Sequence, residues 1–164
     1  MQPTIALVGR PNVGKSTIFN RLTRTRDALV ADHHALTRDR QYGIARRGEQ
    51  HFNVIDTPGI ISKAKNVEAH AGVQTLAAIE EAQVIFFIID AQQELVAEDY
   101  AIAAQLRKLA KPTYIILNKI DGVDVASIDA AIYKFGWSIL EISALKSRGI
   151  GKMITQVMAD YTAS

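Results

Sequence analysis

The fold of this chain is decided by the stretch Gly9-Arg10-Pro11-Asn12-Val13-Gly14-Lys15-Ser16. Its spacing fits the pattern G-x-x-x-x-G-K-[ST], in which a glycine-rich loop between a strand and a helix surrounds phosphate oxygens with backbone N–H groups. The preceding Ile5–Val8 is apolar, as expected of a buried strand, and Ser16–Leu22 has apolar residues at helical spacing. This context favours a phosphate-binding loop over a glycine-rich turn that binds no ligand.

Short apolar runs alternate with helix-period segments along the rest of the chain, which is typical of a parallel sheet covered by helices. We predict strands at Ile5–Val8, Val84–Ile89, Tyr114–Leu117 and Ser138–Ile142, and helices at Ser16–Leu22, Val73–Ala82, Ala97–Leu109, Ser127–Phe135 and Ile150 to about Tyr161. Gln41–Arg47 and His51–Ile55 flank Gly48-Glu49, which predicts a hairpin and one antiparallel edge strand. The prediction is an α/β fold with a mostly parallel six-stranded sheet and helices on both faces.

Composition limits the class of protein. The 164 residues suffice for one domain, 1–164, and the 48% hydrophobic and 22% charged content excludes a disordered or fibrous chain. No apolar run approaches the ~18 residues of a membrane span, and the absence of cysteine excludes disulfides. Because the N-terminus lacks a signal-peptide pattern, we expect a cytoplasmic protein without a membrane partner. Residues 1–65 carry 11 Lys and Arg against 5 Asp and Glu, which suits an anionic ligand such as a nucleotide or RNA.

A second motif, Asp56-Thr57-Pro58-Gly59, ends the predicted strand His51–Ile55. A carboxylate at Asp56 can hold Mg²⁺ through its water shell, and the Gly59 N–H can reach a γ-phosphate. A strand that ends in an Asp turn is common, so the motif gains weight only from its position 40 residues after Ser16. The Ser16 hydroxyl can ligate the same Mg²⁺, and Lys15 can place its charge on the β- and γ-phosphates.

A third motif, Asn118-Lys119-Ile120-Asp121, follows the strand Tyr114–Leu117, at the sheet edge where open α/β folds bind ligands. The Asp121 carboxylate can accept hydrogen bonds from N1–H and the 2-amino group of guanine, which adenine cannot offer. Asn118 can contact the base edge and brace the phosphate loop, and the Lys119 stem can lie over the ring. Ser143-Ala144-Leu145, after the last strand, can supply a backbone N–H to guanine O6.

Two stretches, Thr25–Arg40 and Thr57–His70, lack periodicity, and loops of this length in a compact domain tend to be functional. Thr37 lies in the first of them and is the natural candidate for a second hydroxyl on Mg²⁺, with its N–H available to the γ-phosphate.

Taken in order, these motifs resemble the Era-like group of translation-factor-related P-loop GTPases. Within that group, Phe19–Asp32, Thr37–Arg40 and Ala78–Ala82 are similar to the first of two tandem GTPase domains in bacterial ribosome-assembly factors. The resemblance implies a Ras-like G domain that hydrolyses GTP with Mg²⁺ and acts in large ribosomal subunit assembly, with the ribosomal subunit or rRNA as partner. It also implies that the chain is one domain of a longer protein.

The sequence departs from related patterns in two places. His34-Ala35 stands where the group has Pro-Gly, and Ile60 stands where Ras-like proteins carry a glutamine that orients the attacking water. The resemblance implies that K⁺ near the phosphates, with Asn12 as ligand, takes over part of the charge stabilisation. Lys15, Thr37, Gly59 and Asn12 are therefore the predicted catalytic residues.

Together, the expected ligands are GTP or GDP, Mg²⁺ and K⁺. The predicted metal ligands are Ser16, Thr37 and Asp56. The predicted nucleotide-binding residues are Gly9, Arg10, Pro11, Asn12, Val13, Gly14, Lys15, Ser16, Thr17, Asp56, Thr57, Pro58, Gly59, Ile60, Asn118, Lys119, Ile120, Asp121, Ser143, Ala144 and Leu145. The alternative is a nucleotide-sensing or RNA-binding module with negligible hydrolysis of its own, which Ile60 and the basic first third favour.

Overall fold

A mostly parallel sheet forms the centre of the fold. The computed structural model describes residues 2–23, 41–47, 50–57, 75–124 and 127–163. Within these ranges the sheet has six strands: β1 Thr4–Val8, β2 Gln41–Arg47, β3 Gln50–Asp56, β4 Val84–Asp90, β5 Thr113–Asn118 and β6 Ser138–Glu141. Their order is β2-β3-β1-β4-β5-β6, and only the β2–β3 pair is antiparallel. The predicted sheet, with its antiparallel edge strand, is therefore confirmed.

Helices cover both faces of this sheet. They are α1 Lys15–Thr23, α2 at residues 75–81, α3 Ala97–Leu109 and α4 Ile150–Ala163. One core cluster packs Phe19 of α1 and Met153 of α4 on one face, and a second packs Ile79 of α2 and Ile102 of α3 on the other. Because both faces are covered, all seven residues of β4 are buried, which explains its continuous apolar run before Asp90.

The helix predicted near Ser127–Phe135 is present, but it is shorter and is a 3₁₀ helix rather than an α-helix. The structure has a 3₁₀ helix at Ala130–Phe135, preceded by Asp129, whose side chain accepts a hydrogen bond from the Ala131 N–H, and followed by Gly136 at φ 82°. The capping aspartate and the left-handed glycine bound a segment of only six residues, and 3₁₀ helices occur as short segments because their hydrogen-bond geometry is poorer than that of an α-helix. The last strand also ends one residue early, at Glu141.

Some predictions lie outside the described residues. These are the hairpin turn Gly48-Glu49, residues 73–74 of the second helix, the first irregular stretch Thr25–Arg40, and the second irregular stretch from residue 58 onward. In the part of the chain that the structure describes, no helix is long and apolar enough to cross a membrane.

Candidate nucleotide-binding site

The site lies at the carboxyl edge of the parallel strands. The register pairs Leu7 of β1 with Asp56 of β3, and Asp90 of β4 with Asn118 of β5. Polar side chains that end three different strands therefore meet at the edge from which the phosphate loop leaves β1. Parallel pairing brings together motifs that are far apart in the sequence.

The phosphate loop, residues 9–14, is held by contacts that only glycine permits at two positions. A Cβ on Gly9 would lie 2.9 Å from the carbonyl oxygen of Ile88 in β4. Gly14 has φ +105°, and a Cβ there would lie 2.2 Å from Nδ2 of Asn118. Helix α1 begins directly after Gly14, so its first N–H groups face the loop and suit an anionic group.

Lys15 and Asp56 are buried opposite charges at the base of this loop. The Lys15 side chain donates to the carbonyl oxygen of Arg10 at 3.4 Å. Burial lowers the pKa of Lys15, although the charges of Asp56 and Glu98 oppose this shift. Burial raises the pKa of Asp56 from 3.8 to about 6, against the opposing effect of Lys15.

Asp56 also has an unsatisfied oxygen. Within the described residues its Oδ1 is buried and has no hydrogen-bond partner. Buried polar atoms without partners are rare, and a carboxylate oxygen is a preferred ligand of hard divalent cations and their water shells. The described ranges contain no cluster of three or more metal-ligating side chains. The unpartnered Asp56 oxygen could take part in holding Mg²⁺, an ion that keeps most of its ligands as water and phosphate oxygens.

Two predicted nucleotide-binding side chains are engaged within the protein. The Thr57 hydroxyl donates to the carbonyl oxygen of Leu7 at 2.8 Å and ties the second motif to β1. Arg10 donates from Nε to both carboxylate oxygens of Asp99 at 3.2 Å, and from its terminal nitrogen to Gln93 at 2.7 Å. Arg10 thus fastens the phosphate loop to the start of α3.

Asn118 joins the two ends of the site. Its Nδ2 donates to the carbonyl oxygen of Val13 at 2.9 Å, and its Oδ1 accepts from the N–H of Ala144 at 3.0 Å. The side chain is only 2% exposed. The predicted bracing of the phosphate loop by Asn118 is therefore present, and it extends to the Ser143–Leu145 segment.

Lys119 is fixed from two sides. Its ammonium group donates to the carbonyl oxygen of Asn12 at 3.0 Å and pairs with Asp90 Oδ2 at 3.0 Å. Asp90 is 3% exposed, and its other oxygen accepts from the Gln92 N–H. Sequence reasoning missed Asp90, although a carboxylate at the end of a fully apolar strand is a signal for such a role.

Asp121 and Ser143, predicted in separate motifs, lie together. A hydrogen bond from the Ser143 side chain is the main cause of the lowered pKa of Asp121, and the nearby charges of Lys146 and Arg148 add to it. Asp121 is therefore ionised at neutral pH and can accept two hydrogen bonds.

Arg21 is a second residue that sequence reasoning missed. From α1 it donates to the carbonyl oxygens of Ala144 and Leu145, each at 2.8 Å. No spacing rule links a helix residue to a loop more than 120 positions away, so the sequence carries no signal for this contact. Four predicted site residues, Thr37, Pro58, Gly59 and Ile60, lie outside the described residues.

Comparison with known proteins identifies relatives along the whole chain. Residues 4–119 match the family described as 50S ribosome-binding GTPase. The chain is 50% identical over 162 residues to GTPase Der of Vibrio cholerae, which covers 98% of this chain and 33% of that protein. The chain thus spans about a third of the length of the curated relatives it matches.

Solved structures of Era are similar in fold. Era of Aquifex aeolicus, as a tyrosine-to-alanine variant bound to GDP and AlF4⁻, superposes with a TM-score of 0.79 at 27% identity, covering 97% of this chain and 57% of that one. Era in complex with MgGDPNP and nucleotides 1506–1542 of 16S ribosomal RNA has a TM-score of 0.78 at 27% identity, covering 96% of this chain and 56% of that one.

Proposed function

The chain belongs to the family of 50S ribosome-binding GTPases, and from this premise we propose that it binds guanine nucleotides at the site above and hydrolyses GTP to GDP and phosphate. Membership confirms the resemblance drawn from the motifs. The observation that carries the proposal is the pair of hydrogen bonds made by the Asn118 side chain. They join the phosphate loop to the Ser143–Leu145 segment, so that the two form one frame around the site.

Guanine is the base that this frame suits. Asp121 is held ionised beside Ser143 and can accept from N1–H and the 2-amino group. Adenine offers no N–H at N1 and no 2-amino group, so it would leave the carboxylate facing an acceptor. Sites built to hydrogen-bond a substrate reject analogues without the matching groups by a factor of ~10⁴ or more.

At the other end of the frame, Lys15 is the residue that would contact the β- and γ-phosphates. A bound polyphosphate would offer its ammonium group stronger acceptors than the Arg10 carbonyl oxygen, to which it donates at 3.4 Å. The Ser16 hydroxyl and the Asp56 carboxylate would hold Mg²⁺, which neutralises phosphate charge when bound. Thr37 would be a further ligand of Mg²⁺, and the Gly59 N–H would donate to the γ-phosphate.

The attacking water needs a different arrangement from that of Ras-like proteins, because Ile60 cannot orient it by hydrogen bonding. We propose that Asn12 helps to hold K⁺ beside the phosphates and so stabilises charge in the transition state. Asn12 has a positive φ of 71°, and its carbonyl oxygen is held by Lys119. Hydrolysis rates measured in K⁺ and in Na⁺ test this role, and equal rates would contradict it.

The wider role is proposed from the relatives. We propose that the chain is one G domain of a longer cytoplasmic protein that acts in large ribosomal subunit assembly, with the ribosomal subunit or rRNA as partner. The family description and the similarity to GTPase Der support this role, and one Era structure contains 16S ribosomal RNA.

A second candidate is a nucleotide-sensing or RNA-binding module without appreciable hydrolysis, which Ile60 favours. A single-turnover assay with excess protein over GTP separates the two candidates. A GTPase converts the bound GTP to GDP, whereas a sensing module returns it intact.

The base assignment is tested by calorimetry with GTP, GDP, ATP and xanthosine triphosphate, with and without Mg²⁺. The chain should bind GTP and GDP and reject ATP. Asp121→Asn should shift preference from GTP towards xanthosine triphosphate, because the amide donates to the 2-oxygen that replaces the amino group. Asp124→Asn, at an exposed carboxylate three residues away, is the charge-matched control. Equal binding of ATP and GTP by the unmodified chain would refute guanine recognition.

A further inference from the structure

One helix contacts both ends of the proposed nucleotide site. Helix α1 begins at Lys15, beside the phosphate loop, and Arg21 lies six residues further along it. Arg21 donates from Nε to the Ala144 carbonyl oxygen and from a terminal nitrogen to the Leu145 carbonyl oxygen, both at 2.8 Å. These are charge-assisted hydrogen bonds from a planar guanidinium to two consecutive peptide groups, which fixes direction as well as distance.

Each of these carbonyl groups belongs to a planar trans peptide, so the N–H of the next residue points the opposite way. By holding the Leu145 carbonyl, Arg21 turns the Lys146 N–H away from α1. That N–H reaches Ser143 Oγ at 3.3 Å. Since Ser143 is also the hydrogen-bond partner of Asp121, this amide lies on the base-reading side of the loop.

The same geometry applies to the neighbouring peptide. By holding the Ala144 carbonyl, Arg21 turns the Leu145 N–H away from α1. The Ala144 N–H is already used by Asn118, and the Ser143 N–H donates to the Arg148 carbonyl oxygen at 3.0 Å. Among these three amides, and within the described residues, the Leu145 N–H is the one left without a partner.

We propose that Arg21 is a positioning residue for base specificity, which orients the Ala144–Leu145 peptide so that the Leu145 N–H donates to the oxygen at C6 of guanine. This inference rests on the proposed function, because it requires guanine in the site. In the part of the chain that the structure describes, both hydrogen bonds of the Arg21 side chain go to backbone carbonyl oxygens, so Arg21 acts on the nucleotide through the loop. The Ser147 N–H also donates to the Ala144 carbonyl oxygen at 3.2 Å, which closes the turn but anchors it to no other element.

The experiment compares nucleotides that differ only at C6. GDP and 6-thio-GDP share N1–H and the 2-amino group, so both keep their contacts with Asp121, but sulfur is the weaker acceptor. Affinities of the 164-residue chain for both are measured by calorimetry for Arg21→Met, Arg21→Lys and the exposed-charge control Lys108→Met. Inosine diphosphate, which keeps the oxygen and lacks the 2-amino group, is the third probe.

We expect Arg21→Met to weaken the binding of GDP and of inosine diphosphate by about tenfold, or about 1.4 kcal/mol. The binding of 6-thio-GDP should weaken by less than about threefold. The preference for oxygen over sulfur then shrinks. The affinities of Arg21→Lys should lie between those of the unmodified chain and of Arg21→Met, because an ammonium group lacks the planar pair of donors of a guanidinium. Lys108→Met should match the unmodified chain.

The inference would be overturned by an equal loss for all three nucleotides, as from general loosening of the loop, or by no loss in either Arg21 variant. Absence of an oxygen-over-sulfur preference in the unmodified chain would overturn it too. If Arg21→Met unfolds below the assay temperature, the ratio of the GDP affinity to the 6-thio-GDP affinity in Arg21→Lys decides the question. Failure of the unmodified chain to prefer GDP over ADP would instead refute the proposed function itself.

Discussion

Asp56 should make the nucleotide-free protein less stable as the pH rises. The pKa of this carboxyl is raised from 3.8 to about 6, mainly by burial. Between these values the unfolded chain ionises Asp56 while the folded chain keeps it protonated, so the folded state loses stability as the pH increases. Below both values there is no effect, and above both values the penalty is constant.

The size of the effect follows from the shift. At about 1.4 kcal/mol per pKa unit, the full penalty is about 3 kcal/mol. Part of it is already present at pH 4.5, so about 2 kcal/mol should be lost between pH 4.5 and 7.5. This is a large fraction of the 5–15 kcal/mol that typically holds a domain folded.

The measurement is urea unfolding of the unmodified chain and of Asp56→Asn, in EDTA and without nucleotide, at half-unit steps from pH 4.5 to 7.5. The difference between the two curves isolates Asp56, because histidines and other carboxylates contribute equally to both. As the pH rises from 4.5 to 7.5, the free energy of unfolding of the unmodified chain should fall by about 2 kcal/mol relative to that of Asp56→Asn. Parallel curves would refute the burial argument. With Mg²⁺ and GDP present the trend should diminish, because a nearby cation favours the ionised carboxylate.

Single substitutions at Asn118, Gly14 and Arg10 test the contacts that hold the site together. Asn118→Ala leaves two buried backbone groups unpaired, at about 1–3 kcal/mol each, and should lower both GDP affinity and the free energy of unfolding, measured by calorimetry and urea; an unchanged affinity would contradict its bracing role. Gly14→Ala places a Cβ 2.2 Å from Asn118 Nδ2 at a φ of +105° and should abolish GDP binding in calorimetry, whereas tight binding would show that the loop can relax. Arg10→Met leaves the buried Asp99 carboxylate without its ion-pair partner and should lower the free energy of unfolding in urea by about 3 kcal/mol. The double variant with Asp99→Asn should recover most of this loss, and no recovery would argue against the ion pair.

Much of the architecture could be predicted from the sequence because it depends on local patterns. Apolar runs such as that of β4 have no polar alternation because both faces of the strand are covered, and α3 has the same bounds in the structure as in the prediction. The phosphate loop and the Asn118–Asp121 motif could likewise be recognised from the sequence, because their residue types and spacing indicate the chemistry they can perform. The 3₁₀ helix at Ala130–Phe135 could not, because its apolar spacing also fits an α-helix.

The motifs, their order and the ligand class they suit are thus set by the chain itself, through spacing and periodicity over a few residues. Which side chains hold those motifs in place is decided only by the tertiary structure. The contacts of Asn118 with Val13, of Lys119 with Asp90 and of Arg21 with Ala144 join residues 29 to 123 positions apart. Such contacts depend on strand order, register and helix packing, because a hydrogen bond needs its two atoms within about 3 Å and well aligned. No local pattern contains that information.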